Sequence, residues 1–435
     1  MLHLAWFTNP MPNSWGPHKS QWVGNDFRPE YWQNGEFYVD MARALERGGF
    51  DFLMFEDHVT LTALDDPMPR LDPVTLTTRI ADATKHLGIV STISTSFIHP
   101  FGLARQLNSL DHLTGGRVGW NIVTTSEKSA AQAYGMDDMP PHDERYERAN
   151  EFLEVATGLW ERGWDKDAVV MDTESGQYTN PEKVHQLDYR GRFFSSHGSL
   201  NNSMSPQRRP VLSQAGTSAA GIAFAARWAD TILAQTSSDD PYKMKKIRDA
   251  VRAEAVRIGR DPDEIKVMFW INPTLAETDE IAADLHRLKW TPGPERIKFV
   301  CDMFTKYTEI DMFALDLDAP FPEVDVSSLH GHQATFGGFY DLRIAKDGHL
   351  RTMREMIAAY NFNSLELFGT PASVADQIQE AMEIVGGDGL LFYDDPLTRR
   401  YIAEITDGLV PELRKRGLVR VSYTEDTFRG NLTAF

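Results

Sequence analysis

Cysteine is almost missing: the 435 residues include one, Cys301. A lone thiol excludes an intrachain disulfide and any zinc or iron–sulfur site built from several thiolates. Basic residues are in deficit, 44 Lys and Arg against 63 Asp and Glu, for a formal net charge of −19. Such a chain lacks the cation excess that displaces counterions from a phosphate backbone, so neither nucleic acid nor an anionic membrane surface is an expected partner. No run reaches the ~18 apolar residues of a membrane span, and the start of the chain has no basic stretch followed by a long apolar one. A cytoplasmic location is expected. Glycine and proline, 31 and 23 residues, are too few for a collagen-like or low-complexity chain. There is no internal repeat and no Gly-x-Ser-x-Gly nucleophile elbow.

What is present is an alternation of short β-branched or aromatic runs with longer helical patterns. Strands are expected at 2–8, 52–56, 88–95, 118–124, 210–215, 231–235, 265–272 and 389–393. Helices are expected at 36–47, 72–86, 101–113, 143–162, 218–229, 242–258, 279–289, 372–385 and 399–416. Strands separated by helices pair in parallel through right-handed crossovers, and eight such units close a (β/α)8 TIM barrel. One α/β domain over 1–435 is therefore expected, with insertions at about 164–209 and 290–365, where the rhythm breaks.

In that architecture chemistry sits at the C-terminal strand ends, and these ends are polar. Gly216-Thr217-Ser218 follows an apolar strand and opens a helix, so free amides and two hydroxyls suit a phosphate; the plainer alternative is a helix N-cap. His142 and Tyr146 are four apart and share a face if the helix begins at His142, a pair able to hold a phosphate or a diol, or else an ordinary first turn. Asp57-His58 suits acid–base or metal chemistry, or a buried hydrogen-bond acceptor. His330-Gly331-His332 resembles a metal pair but has no acidic or thiolate cluster at zinc spacing, which favours a loop or substrate lid over a metal-dependent barrel hydrolase. With no nucleophile, the pattern points to chemistry supplied by an organic cofactor. An aromatic-rich entrance is expected from Trp6, Phe7, Trp15, Trp22, Phe27, Trp120, Phe336 and Phe339.

The runs Asp72-Pro73, Ser91-Thr92-Ile93-Ser94-Thr95, His99-Pro100-Phe101-Gly102-Leu103-Ala104-Arg105 and Ser109-Leu110-Asp111-His112-Leu113-Thr114-Gly115-Gly116-Arg117 fit a known pattern. So do His142-Asp143-Glu144-Arg145-Tyr146, Gln214-Ala215-Gly216-Thr217-Ser218 and Gly369-Thr370-Pro371. Together they resemble the two-component flavin monooxygenases of the nitrilotriacetate, dibenzothiophene-sulfone and long-chain-alkane branch of the bacterial luciferase-like superfamily. The resemblance implies a TIM barrel that takes reduced FMN (FMNH2) from a separate NAD(P)H:flavin reductase. It implies insertion of one oxygen atom from O2 into a small organic substrate through a flavin peroxide. By position it implies Asp57, Thr95 and Ser94 beside the isoalloxazine and Asn121 at its polar edge. His142, Tyr146 and Ser218 would hold the phosphate with the amides of Gly216 and Thr217. Phe7, His58, Trp120 and His330 are expected in the substrate pocket, and relatives imply a dimer or tetramer. The alternatives are an F420-dependent oxidoreductase and a non-catalytic flavin-binding protein. The chain departs from the pattern in Ala133-Tyr134-Gly135, in Glu56 before Asp57, and in the bulky, acidic Leu391 to Asp395.

Overall fold

Eight short runs with buried residues on both faces form the frame: β1 His3–Thr8, β2 Phe52–Phe55, β3 Gly88–Ser94, β4 Val118–Val123, β5 Val211–Ala215, β6 Thr231–Ala234, β7 Lys266–Ile271 and β8 Gly389–Tyr393. In the computed structural model they pair in parallel in chain order, and β8 pairs with β1 (Phe7 opposite Tyr393) to close the barrel. The structure describes residues 1–11, 29–61, 68–236, 239–308, 310–326, 333–345, 347–394 and 397–435. The outer layer comprises α1 Glu36–Arg47, α2 Pro73–Ala81, α3 Pro100–Thr114, α4 His142–Arg162, α5 Ala219–Trp228, α6 Pro241–Arg257, α7 Pro371–Val385 and α8 Arg399–Lys415. Residues 404–409 of α8 widen into a π turn just before Pro411, which has no N–H to donate to the helical ladder. Among the described residues no helix is long and apolar enough to cross a membrane.

Strand parity divides the core in two. Ala5, Phe7, Phe52, Met54, Val90, Met268 and Leu391 fill the barrel interior, while Leu4, Trp6, Leu53, Phe269 and Phe392 alternate with them and pack under the helices. The N-terminal pole is closed by the last segment of the chain, whose short helix Phe428–Thr433 inserts Phe428 against Phe52 at a ring separation of 5.4 Å. Gly88 and Gly119 leave room for that ring, since a Cβ on either would lie 2.6 or 3.1 Å from it. Arg429 pairs there with the buried Asp230, and Arg420 with Asp51.

Residues 164–209 form two antiparallel hairpins, Val169–Asp172 with Gln177–Thr179 and Leu187–Arg190 with Ser195–Gly198. Residues 290–365, expected as an aromatic and turn-rich stretch, contain helices Pro294–Thr308, Gln333–Asp341 and Met353–Ala359. These helices surround their own apolar cluster of Val300, Phe304, Phe321, Phe336, Phe339 and Tyr360. They stand over the C-terminal end of the barrel, where Tyr307, Gly338 and Phe362 face a cavity.

Candidate active site

That cavity, about 850 Å³, lies at the C-terminal strand ends. Its walls come from β1 (Phe7), the exits of β2 to β6, the first turn of α4, β7 (Trp270) and the roof. With the opposite pole closed, the barrel opens its cavity at this end, where the alternation of strands and helices puts the site.

The fifth junction presents hydrogen-bond donors to the cavity. Gly216 has φ +139°, a backbone state that side-chain-bearing residues rarely adopt, and it turns the chain from β5 into α5. Ser218 caps α5, its hydroxyl oxygen accepting from the Gly221 N–H at 3.1 Å, which leaves the hydroxyl proton free to donate. By helix geometry the amides of Ala219 and Ala220 have no intrahelical acceptor, and both residues line the cavity. Across from them, α4 begins at His142, so His142 and Tyr146 do share a face, with ring centroids 4.9 Å apart. The Tyr146 hydroxyl lies 4.0 Å from where a Cβ of Gly216 would be. Burial pushes that hydroxyl above its usual pKa, so at neutral pH it is a hydrogen-bond donor. His142 is more exposed and pairs with Asp143 at 2.9 Å.

Deeper in, the buried amide oxygens Asn121 Oδ1 and Gln214 Oε1 have no hydrogen-bond partner among the described residues. Asn121 Nδ2 donates to Thr92 Oγ1 at 2.9 Å and Gln214 Nε2 to the Ala215 carbonyl at 2.6 Å, so each amide is oriented by its donor side. A buried acceptor left unpaired is costly and fits a ligand with N–H groups.

The exit of β2 carries a charge cluster. Burial and the neighbouring Asp72 carboxylate push the Asp57 carboxyl up to about 6. His58 lies between Glu56 (Nε2 to Oε1, 2.9 Å) and Glu127 (Nδ1 to Oε1, 3.4 Å), and Arg70 holds the other oxygen of Glu56 at 3.0 Å. Burial disfavours a charged imidazole, but the two glutamates outweigh it and push His58 up to about 9. Opposite stand Phe7 and Trp270, ring centroids 4.7 Å apart, with Phe362 beyond.

Asp57, Asn121, His142, Tyr146, Gly216, Thr217, Ser218, Phe7 and His58 thus meet around one cavity. Thr95 does not: β3 parity turns it outward, where its hydroxyl donates to the Val123 carbonyl at 3.3 Å. Ser94 bonds Thr125 and faces a water-sized side recess, about 20 Å³, shared with Asp57 and Thr92. Trp120 is also a correction; Asn121 takes the inward position on β4, so Trp120 packs outward against Phe152. Trp6 faces the helices, and Phe336 and Phe339 lie within the roof's cluster. His330, His332, Trp15, Trp22 and Phe27 lie outside the described residues. Sequence reasoning missed Thr92, Arg145, Trp270 and Tyr307 as site residues; strand parity on β3 was the available signal for Thr92.

The described residues thus form an eightfold barrel whose polar end joins hydrogen-bond donors at the fifth junction to buried amide acceptors around one cavity. Comparison with known proteins specifies the class: the luciferase-like monooxygenase family matches residues 13–388, and the chain belongs to that family. It is a flavin-dependent monooxygenase. It is 32% identical to the N-acetyl-S-(2-succino)cysteine monooxygenase of Bacillus subtilis, over 95% of this chain and 93% of that one. It is 34% identical to the long-chain alkane monooxygenase of Geobacillus thermodenitrificans, over 91% and 86%. A crystal structure of riboflavin lyase with modified FMN and riboflavin superposes with a TM-score of 0.84 at 30% identity, covering 100% of this chain and 96% of that one. A coenzyme F420-dependent reductase from Methanopyrus kandleri, at 13% identity and TM-score 0.55, shares the fold alone.

Proposed function

We propose that the chain is the oxygenase component of a two-component system, taking FMNH2 from a separate NAD(P)H:flavin reductase and inserting one oxygen atom from O2 into a small organic substrate. The observation that carries this reading is the pair of unpartnered acceptors, Asn121 Oδ1 and Gln214 Oε1, facing the same cavity as the fifth-junction cradle. A dihydroflavin brings ring N–H groups for the first and a phosphate for the second, and the volume leaves room for a substrate beside it.

When bound, the flavin supplies the oxygen-transfer chemistry; the protein binds, orients and keeps water away. Ser218, Tyr146, His142 and the first amides of α5 hold the phosphate. Asn121 and Gln214 accept from the ring edge and fix its plane. Asp57, titrating near pH 6, is placed to hold or release a proton at neutral pH. Phe7, Trp270 and Phe362 form the apolar wall for the substrate, His58 and its two glutamates the polar one. The roof, 290–365, serves as an insertion of the same barrel domain that excludes water, and 164–209 as a second one. A homo-oligomer, dimer or tetramer, completes the reading.

Anaerobic titration should show reduced FMN binding, and protein, FMN, a flavin reductase and NADH under air should oxidise members of a substrate panel. Absence of affinity for reduced FMN in equilibrium dialysis would remove the reading.

A further inference from the structure

Ser94 opens on the side recess of about 20 Å³ at the exits of β2, β3 and β4, which it shares with Asp57, His58, Thr92, Thr125 and Glu127. Those five also line the main cavity, so the recess is a side chamber of the site. A space of this size holds one water where about 2–4 polar groups surround it.

The hydrogen bonds around the recess leave two donors and one acceptor to fill. Ser94 Oγ accepts from Thr125 Oγ1 at 2.7 Å and from the Ser96 N–H at 3.2 Å. Both of its lone pairs are then used, and its hydroxyl proton can only be donated. Thr92 Oγ1 accepts from Asn121 Nδ2 at 2.9 Å, and its own proton has no acceptor among the described residues. The acceptor is Asp57. Its carboxyl is half-buried, lines both spaces, and makes no hydrogen bond or ion pair among the described residues. The charged groups that face it, Glu56 and His58 on the same strand exit, Arg70, and Asp72 at the cap of α2, act on it through space. His58 cannot serve the recess, because a glutamate already stands at each ring nitrogen.

We propose that the recess is a site for one resident water, which accepts from Ser94 and Thr92 and donates to Asp57, and that Ser94 is through it a positioning residue for the Asp57 carboxylate. A donor to the carboxylate favours its charged form. Without that donor, burial and the neighbouring Asp72 carboxylate hold Asp57 protonated further up the pH scale. Only the use made of the Asp57 proton rests on the proposed function; the site itself belongs to the protein without flavin.

The test uses the full-length protein without flavin. A crystal structure fine enough to show ordered water should place one within hydrogen-bond distance of both Ser94 Oγ and an Asp57 carboxylate oxygen. Infrared difference spectra across the carboxyl titration, with Asp57→Asn to assign the band, should put the wild-type midpoint at about 6 or below. Ser94→Ala removes a donor, and Ala130→Val fills the recess from its apolar wall. Each should raise the Asp57 midpoint by roughly one pH unit, with thermal melts verifying that the variant is folded. No water at that position in wild type would overturn the proposal, and so would an unmoved midpoint in either folded variant. Failed binding of reduced FMN, with the water and the shift both in place, would remove the proposed function and leave this site standing.

Discussion

Around β2 the residue-level energetics are those of a salt-linked chain, Arg70 to Glu56 to His58 to Glu127. An imidazole whose folded pKa is raised from 6.5 to about 9 contributes stability that is fully present below 6.5 and is lost as pH rises through 9. The melting temperature of the apoprotein should therefore fall between pH 7 and pH values above 9, and His58→Gln should be lower at pH 7 and lack that slope; a parallel pair of profiles would count against the clamp. Asp57 works in the same direction over a lower window: its raised pKa favours the folded state while the carboxyl is protonated, and that contribution is lost as pH rises from about 3.8 through 6. At the cradle, Tyr146→Phe and Ser218→Ala should each cost roughly 1–3 kcal/mol of FMNH2 affinity, a lost hydrogen bond to a charged group, read by anaerobic titration. Residue types at the strand ends were readable from sequence, but the direction each side chain faces depends on parity within a strand whose start is uncertain by a residue. Thr95 turns outward while Thr92 faces the cavity for that reason, and Trp120 could not share the inward side of β4 with its neighbour Asn121, which was expected there.

Among elements, the junction of β5 with α5 depends on close backbone approach. A Cβ on Gly221 would lie 2.9 Å from the Gly216 carbonyl oxygen and 3.2 Å from Ser218 Oγ. Gly221→Ala must push the helix off the turn, so it should destabilise by roughly 1–3 kcal/mol and weaken FMN binding, while riboflavin, lacking the phosphate, should be affected less. An unaltered FMN affinity would place the phosphate elsewhere. Elements with strong signals, such as α1, with its apolar positions at helical spacing, and α2, capped by Asp72 with Pro73 next, were plain in the sequence. The roof helices were not, because 290–365 is dense in Pro, Gly, Asp and aromatics, and its apolar residues face a small cluster of their own. The π turn in α8 shows one local reason a helix reads as continuous yet changes its hydrogen-bonding: Pro411 falls inside it.

For the whole molecule, the count and order of strands decided the architecture, and eight β–α units could be counted directly. The stopper at the N-terminal pole could not be read, since 418–435 carries no period and its helix has six residues; its role follows from where Phe428 lands. Phe428→Ala should empty that pole and cost roughly 3–5 kcal/mol, a full aromatic cavity in a close-packed core, visible as a lower midpoint in denaturant. Flavin affinity, set at the other end, should not change. The same stopper makes the barrel a cup instead of a pipe. A cup fills and drains over one lip, so spent flavin, product and fresh reactants must take turns there, and the order of traffic is imposed by the shape of the vessel before any chemistry begins.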